Sequence, residues 1–294
     1  MRKYCWLSLC LILLPAGATA TEACGMTLDR NFRHAEMTAA IPVLKDPSGG
    51  GVLFVSQMQV NPDGAPDAYS PDDQGTVHVC NGVSVGPRCE WKARCLPEYR
   101  QALAEGFRGP TRICFFAMAT DRDGRPLLQG PQDPDPGYFI STTALKQPGR
   151  DRSRPEGQID SNTVPFAVIP KNWNNPAGPG PRLGDFGVAY RKSNGKLAYF
   201  VVADLGPNNK LGEGSVALHQ ALGNDPFMQR FGVRRARRGI GGRDVAYLVF
   251  PDSADPQLLL DARGIAEKGE ALLAGFGGLQ RLQACANSAS SPSP

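Results

Sequence analysis

Residues 164–206 constrain this chain most, because they read as consecutive short β-type segments cut by glycine, proline and asparagine turns. ValProPheAlaValIlePro (164–170), AspPheGlyValAlaTyrArg (185–191) and LysLeuAlaTyrPheValValAla (196–203) are rich in β-branched and aromatic residues at strand length. SerAsnGly (193–195) supplies a hairpin turn between the last two. Segments this short cannot bury their own apolar faces and must pair into a common sheet. Further strands are expected at the end of 49–60, in 77–86 and 111–119, from Tyr138 to Leu145, and from Val245 to Phe250. Helical spacing occurs in 98–107, closed by Gly106, in the segment from Ser215 to Gly223, and in Pro256–Gly275. Residues 61–73 form a turn-rich acidic loop, and 147–158 a proline-, glycine- and charge-rich surface connection. Such a chain is mainly β, with a few short helices.

The first twenty residues stand apart from this pattern. Arg2 and Lys3 precede the apolar run 5–14, and Ala18-Thr19-Ala20 offers a small-x-small cleavage site. That run is too short for a bilayer, which needs about 20 apolar residues. Residues 1–20 are read as a signal peptide, 21–285 as one domain, and 286–294, rich in serine and proline, as a disordered tail. Export places the protein outside the cell or in a periplasm, with no membrane partner after cleavage.

Cleavage leaves six cysteines, Cys24, Cys80, Cys89, Cys95, Cys114 and Cys285. An even set in an exported chain reads as disulfides. Cys24 and Cys285 can staple the two ends, and the other four can tie one local region. Six cysteines allow fifteen pairings, so the full connectivity stays open. No CxxC spacing occurs and the three histidines are scattered, so neither a metal site nor a cofactor is expected. Losing Arg2 and Lys3 lowers the formal charge from +4 to +2, which is not a nucleic-acid-binding balance. A monomer is expected.

The candidate chemistry lies in ValAlaAspLeuGlyProAsnAsnLysLeuGlyGluGlySerValAlaLeuHisGlnAlaLeuGly, residues 202–223. Asp204 ends an apolar run, a glycine–proline turn follows, and Glu213 precedes a helix that Ser215 can cap and Gly223 can stop. Two carboxylates beside rigid elements suit glycosidic hydrolysis by inversion, in which one protonated carboxyl serves the leaving oxygen. The other activates water ~6.5–9.5 Å away. A turn aspartate and a helix-start glutamate would give the same spacing, and the sequence does not assign acid and base.

The stretch 204–223 resembles the signature of glycoside hydrolase family 75, the endo-chitosanases, with Asp204 and Glu213 falling on that family's two essential carboxylates. SerGlnMetGlnValAsnProAspGly (56–64) with AspAlaTyr (67–69), residues 160–170, GlyAspPheGlyValAlaTyr (184–190) and ValAlaTyrLeuValPhe (245–250) are similar to other family segments, in the right order. Asn61 stands where an acidic residue is expected, and Phe166 where the family often has Tyr. The Asp-x-Gly-Pro loop also resembles rare lipoprotein A, expansins and family 45 hydrolases. The resemblance implies a six-stranded double-psi β-barrel core with extra strands and short helices, stapled by disulfides. It implies an exported hydrolase of a chitosan-like, β-1,4-linked amino-sugar polymer, with no cofactor. Asp63, Asp67, Tyr69, Asp185, Lys210 and Ser215 lie in matched segments and, with Trp173 from the polar loop LysAsnTrpAsnAsn, form the expected substrate-binding set. Trp91 is a further candidate stacking platform. The arginines at 230, 234, 235, 237, 238 and 243 read as a solvated loop; lining a groove, they would repel a cationic polymer and favour an anionic wall. The alternative function is therefore a non-catalytic or peptidoglycan-directed wall-binding barrel.

Overall fold

The computed structural model describes residues 24–86, 95–173 and 180–290. An antiparallel pair comes first, β1 (Thr27–Phe32) with β2 (Ile41–Lys45), followed by β3 (Val52–Asn61). An insertion carries β4 (Val83–Val85), α1 (Cys95–Ala104) and β5 (Ile113–Phe115). Then come β6 (Phe166–Pro170), β7 (Phe186–Arg191), β8 (Leu197–Gly206), β9 (Glu213–Ser215) and α2 (Val216–Ala221). The hairpin β10 (Phe227–Arg230) and β11 (Val233–Ala236) precedes β12 (Ile240–Val249), α3 (Ala262–Phe276) and α4 (Gly278–Ser290).

Six of these strands close on themselves in the order β3-β12-β7-β8-β6-β9, and β9 returns to β3. The core is therefore a closed six-stranded β-barrel, which leaves no unpaired edge in the ring. Two neighbour pairs are parallel, β6–β8 and β3–β9, and the other four are antiparallel. Outside the ring, β2 adds to β3 through Val43↔Phe54, and β1 adds to β2. Alternation sorts the side chains. Phe54, Met58, Ala189, Phe200 and Tyr247 fill the barrel, while Leu53, Val55, Val188 and Leu248 lie outside under Leu273, Phe276 and Leu282 of the two C-terminal helices.

Local chemistry explains the helices. Ser215 Oγ accepts the amide of Leu218 and caps α2, as expected, and Asp261 does the same for α3 through Gly264. Gly277, at φ 114°, ends α3 in the left-handed region. The insertion has a core of its own around Tyr69, Tyr99 and Phe139. Cys80–Cys95 staples it, and Cys24–Cys285 joins the two ends of the described chain. Cys114 is also disulfide-bonded, and Cys89 lies outside the described residues. Among the described residues no helix is long and apolar enough to cross a membrane. With the disulfides, this is compatible with a secreted or periplasmic protein.

Several expectations need correcting. Tyr138–Leu145 is not a strand, because its amides find three separate partners: Phe139 donates to Tyr69, Ile140 to Leu127 and Thr142 to Ala117. Only Val83–Val85 of 77–86 pairs as strand. The region after Cys285 is helical to Ser290, with Ala286 and Ala289 buried against the barrel; the expected tail thus starts no earlier than residue 291, outside the described residues. The expected leader, residues 1–20, also lies outside them.

Candidate active site

Strand β8 runs through Asp204 to Gly206 and does not stop where the apolar run ends. Ala198, Phe200 and Val202 point into the barrel and Val201 away from it. Ala203 is an extra residue between the pairs Ala167↔Val202 and Val168↔Asp204. This β-bulge resets the alternation: Leu205 returns to the inner cluster, and Ala203 packs outside with Val201. Asp204 follows Ala203 to the outer side. With unbroken alternation the carboxylate would have pointed into an apolar interior.

The second carboxylate arrives from the opposite flank of β6. Val168 is paired with Asp204 of β8 on one side and with Glu213 of β9 on the other. Residues paired across neighbouring strands project to one face, and two strand spacings separate their Cα atoms by ~10 Å. Glu213 leans inward across Gly206, so that a Cβ at Gly206 would lie 3.1 Å from its Oε2. Gly206 is two residues beyond Asp204 on the same face, ~6.6 Å along the strand. The two carboxyl groups thus share one face over Val168 and Gly206. Gly206→Ala should keep the fold, since its φ lies outside the left-handed region. It should lower activity about tenfold to a hundredfold by displacing Glu213; steady-state kinetics beside a melting curve checks this.

Their environments differ. Asp204 is 9% exposed. Its Oδ1 accepts the Ala144 amide at 3.0 Å and its Oδ2 accepts Asn61 Nδ2 at 3.1 Å. Burial raises its pKa from 3.8 to about 6; these hydrogen bonds oppose the rise and the nearby Glu213 adds to it. Glu213 faces Lys210 Nζ at 2.9 Å, and the same ammonium lies 3.0 Å from Glu36. The pull of both carboxylates outweighs burial and keeps Lys210 charged. Lys146, half-buried near Asp204, is lowered to about 8 by desolvation.

Asn61 ties the site to the acidic loop. Its Oδ1 accepts the Asp63 amide, and its carbonyl accepts Ser161 Oγ, which in turn accepts the amide of Val216. Asp63 accepts the Tyr69 hydroxyl at 2.7 Å. Asp67 accepts Asn162 Nδ2 at 2.8 Å. Asp135 and Asp160 are raised first by burial and further by Asp67, which places three carboxylates within mutual reach.

Of the expected set, Asp204, Glu213 and Lys210 come together, with Asp63 beside them through Asn61. Asp67 lies beside Asn162 and Arg234, and the remaining expected binding residues are structural. Trp173 is 3% exposed and packs 5.0 Å from Phe32 and 6.1 Å from Phe54, because β1 brings Phe32 over a loop whose flanks are polar. Tyr69 is 1% exposed, so its ring offers no stacking face. Ser215 is buried and spends its hydroxyl on Leu218, Phe166 and Val164. Asp185 is buried and pins the amides of Arg182 and Ser253. Trp91 lies outside the described residues. His219 is fully buried beside Asn224, and desolvation lowers it to about 4. Sequence reasoning missed Ala144, Lys146 and Asp135, which carry no motif, and did not single out Asp160 and Asn162 within the matched segment 160–170. Asn61 was visible only as a departure from a pattern.

The arginine loop is the hairpin β10–β11. Arg235 is buried and donates to the carbonyls of Asp73, Gly75 and Val77, with Asp73 Oδ2 at 3.3 Å. Arg234 stacks 3.3 Å from the Phe227 ring centroid and lies 3.9 Å from Asp67. A separate cavity of about 670 Å³ lies in the insertion, lined by Phe107, Arg108, Arg112 and Phe115, and shares no residue with the carboxylate face. No protein-family model matches the chain, and no curated protein matches it.

Proposed function

We propose that the chain is an exported endo-acting glycoside hydrolase that cleaves a chitosan-like, β-1,4-linked amino-sugar polymer with inversion. The observation that carries this reading is the pairing of Asp204 and Glu213 across Val168, one desolvated and one held by a lysine. Asp204 is the proton donor in this reading and Glu213 the base, an assignment that spacing alone left open. Asp204 protonates the glycosidic oxygen as the bond to the anomeric carbon breaks. Water attacks that carbon from the opposite face and passes a proton to Glu213. The product has inverted configuration, and the two carboxyls exchange a proton with solvent before the next turnover.

The resemblance to family 75 supports the substrate class, and so does the site's charge. Asp63 is tied to Asp204 through Asn61, and Asp67 acts on both Asp135 and Asp160, an acidic set that suits a cationic sugar. The arginines that spoke against such a substrate are partly spent: Arg235 on Asp73, and Arg234 on Phe227. The second reading, a wall-binding or peptidoglycan-directed barrel, draws on the arginines that remain exposed in the hairpin. Incubation with chitosan, with purified sacculi and with buffer, followed by mass analysis, separates the two. Reducing ends from chitosan alone favour the first; muropeptide release, or binding without product, favours the second.

A proton donor with a pKa of about 6 predicts a basic limb. The acid form is lost as pH rises through that value, so kcat/KM should fall about tenfold per pH unit above it. A rate that holds level to pH 8 would remove Asp204 from this role.

A further inference from the structure

The hairpin β10–β11 closes on two residues, Phe231 and Gly232, with φ of 50° and 79°. Positive φ at both central positions is the signature of a type I′ turn, where Asn-Gly or Asp-Gly is favoured. A bulky aromatic side chain in the left-handed region is strained. Nothing in the fold offsets that strain, since Phe231 is 93% exposed. Met228, 38% exposed, is paired with the anchoring Arg235, two strand pairs behind the closing pair Arg230–Val233. Arg230 holds its guanidinium 5.5 Å from the Phe231 ring centroid. Arg237 and Arg238 are exposed at the base, where the nearest carboxylate is Asp225, 3.7 Å from Arg238. From Asp225 to Arg238 the chain carries one carboxylate and five arginines, of which only Arg235 is buried. The base is fixed, because Arg235 and the Ala236 amide bind the 73–77 loop.

We propose that this hairpin docks the protein on an anionic phospholipid surface, with Phe231 entering the headgroup–acyl boundary and the exposed arginines meeting lipid phosphates. Shape and charge favour this occupant. The tip is convex and cannot enclose a sugar chain, and Phe231 has no polar atom with which to fix one. Two exposed apolar side chains fall far short of the ~800 Å² per partner that a stable protein interface needs. A rigid wedge of one aromatic ring with a guanidinium beside it and further exposed arginines behind it matches the amphipathic boundary of an anionic bilayer. This departs from the sequence expectation of no membrane partner, and it is independent of the catalytic reading, so Asp204→Asn should dock as the parent does.

The test is co-sedimentation of the mature chain with vesicles of phosphatidylglycerol and phosphatidylcholine in equal parts, against phosphatidylcholine alone. The parent should partition onto the anionic vesicles, less so as salt rises. Phe231→Asn should lower that partition about tenfold while its melting temperature stays level or rises, because Asn-Gly relieves the turn. Arg230→Ser with Arg237→Ser should lower it without changing the melting temperature. Equal binding of the parent and Phe231→Asn overturns the proposal. So does capture by sacculi with no binding to anionic vesicles.

Discussion

Asp204→Asn and Glu213→Gln should each abolish the release of reducing ends from chitosan, by about a thousandfold or more, in proteins that remain folded. The expectation of intact folding rests on the charge that is removed. The folded-state pKa of Asp204 is about 6 against an ordinary 3.8, so between these values the folded chain binds a proton that the unfolded chain has released. The stability contributed by this group is therefore greatest below about pH 4, declines as pH rises to about 6, and stays reduced above it. The charged form costs about 3 kcal/mol at neutral pH. Asp204→Asn escapes that cost and loses part of the hydrogen bonding to Ala144 and Asn61. Its melting temperature at pH 7 should match or exceed the parent's, and should respond less to pH between 4 and 6. Glu213→Gln leaves Lys210, whose side chain is only 12% exposed, with Glu36 alone, so its melting temperature should fall while the fold persists. Full activity in either variant would overturn the assignment. An inactive Asp204→Asn that melts well below the parent would show that the carboxylate serves the fold.

Cys24→Ser with Cys285→Ser should lower stability by about 4 kcal/mol and the melting temperature by about 10 °C. The bond joins residues 261 apart, so opening it frees nearly the whole described chain in the unfolded state. In the folded state it holds α4 on β3, where Leu282, Ala286 and Ala289 cover Leu53 and Val55. Calorimetry of the oxidised parent and the double variant measures the difference. An unchanged midpoint would mean that these apolar contacts hold the helix without the bond.

Legibility followed the range of the interaction that decides each feature. β3, β6, β7, most of β8 and the capped helix α2 were readable because their signals are local: β-branched runs, a Ser-Asn-Gly turn, a serine before an apolar helical stripe. Strands β1 and β2 carry weak local signals, and they form by adding to an edge of β3. Missing them is what made Trp173 look like a platform in a polar loop, when Phe32 of β1 covers it. Tyr69 and Ser215 sat in the right segments with the wrong roles, since a motif specifies a residue type and packing decides which atoms reach solvent.

By itself, the sequence determined the β class, the barrel's principal strands, the cysteines able to staple the two ends and the two carboxylates worth testing. Tertiary structure decided that those carboxylates share one face, on either side of Val168. Asp204 points outward only because Ala203 is an extra residue against β6, and a bulge is a relation between two strands that neither strand's sequence shows. Tertiary structure also decided which carboxyl is desolvated and which meets a lysine, because burial and ion pairing depend on the groups that segments distant in sequence bring together.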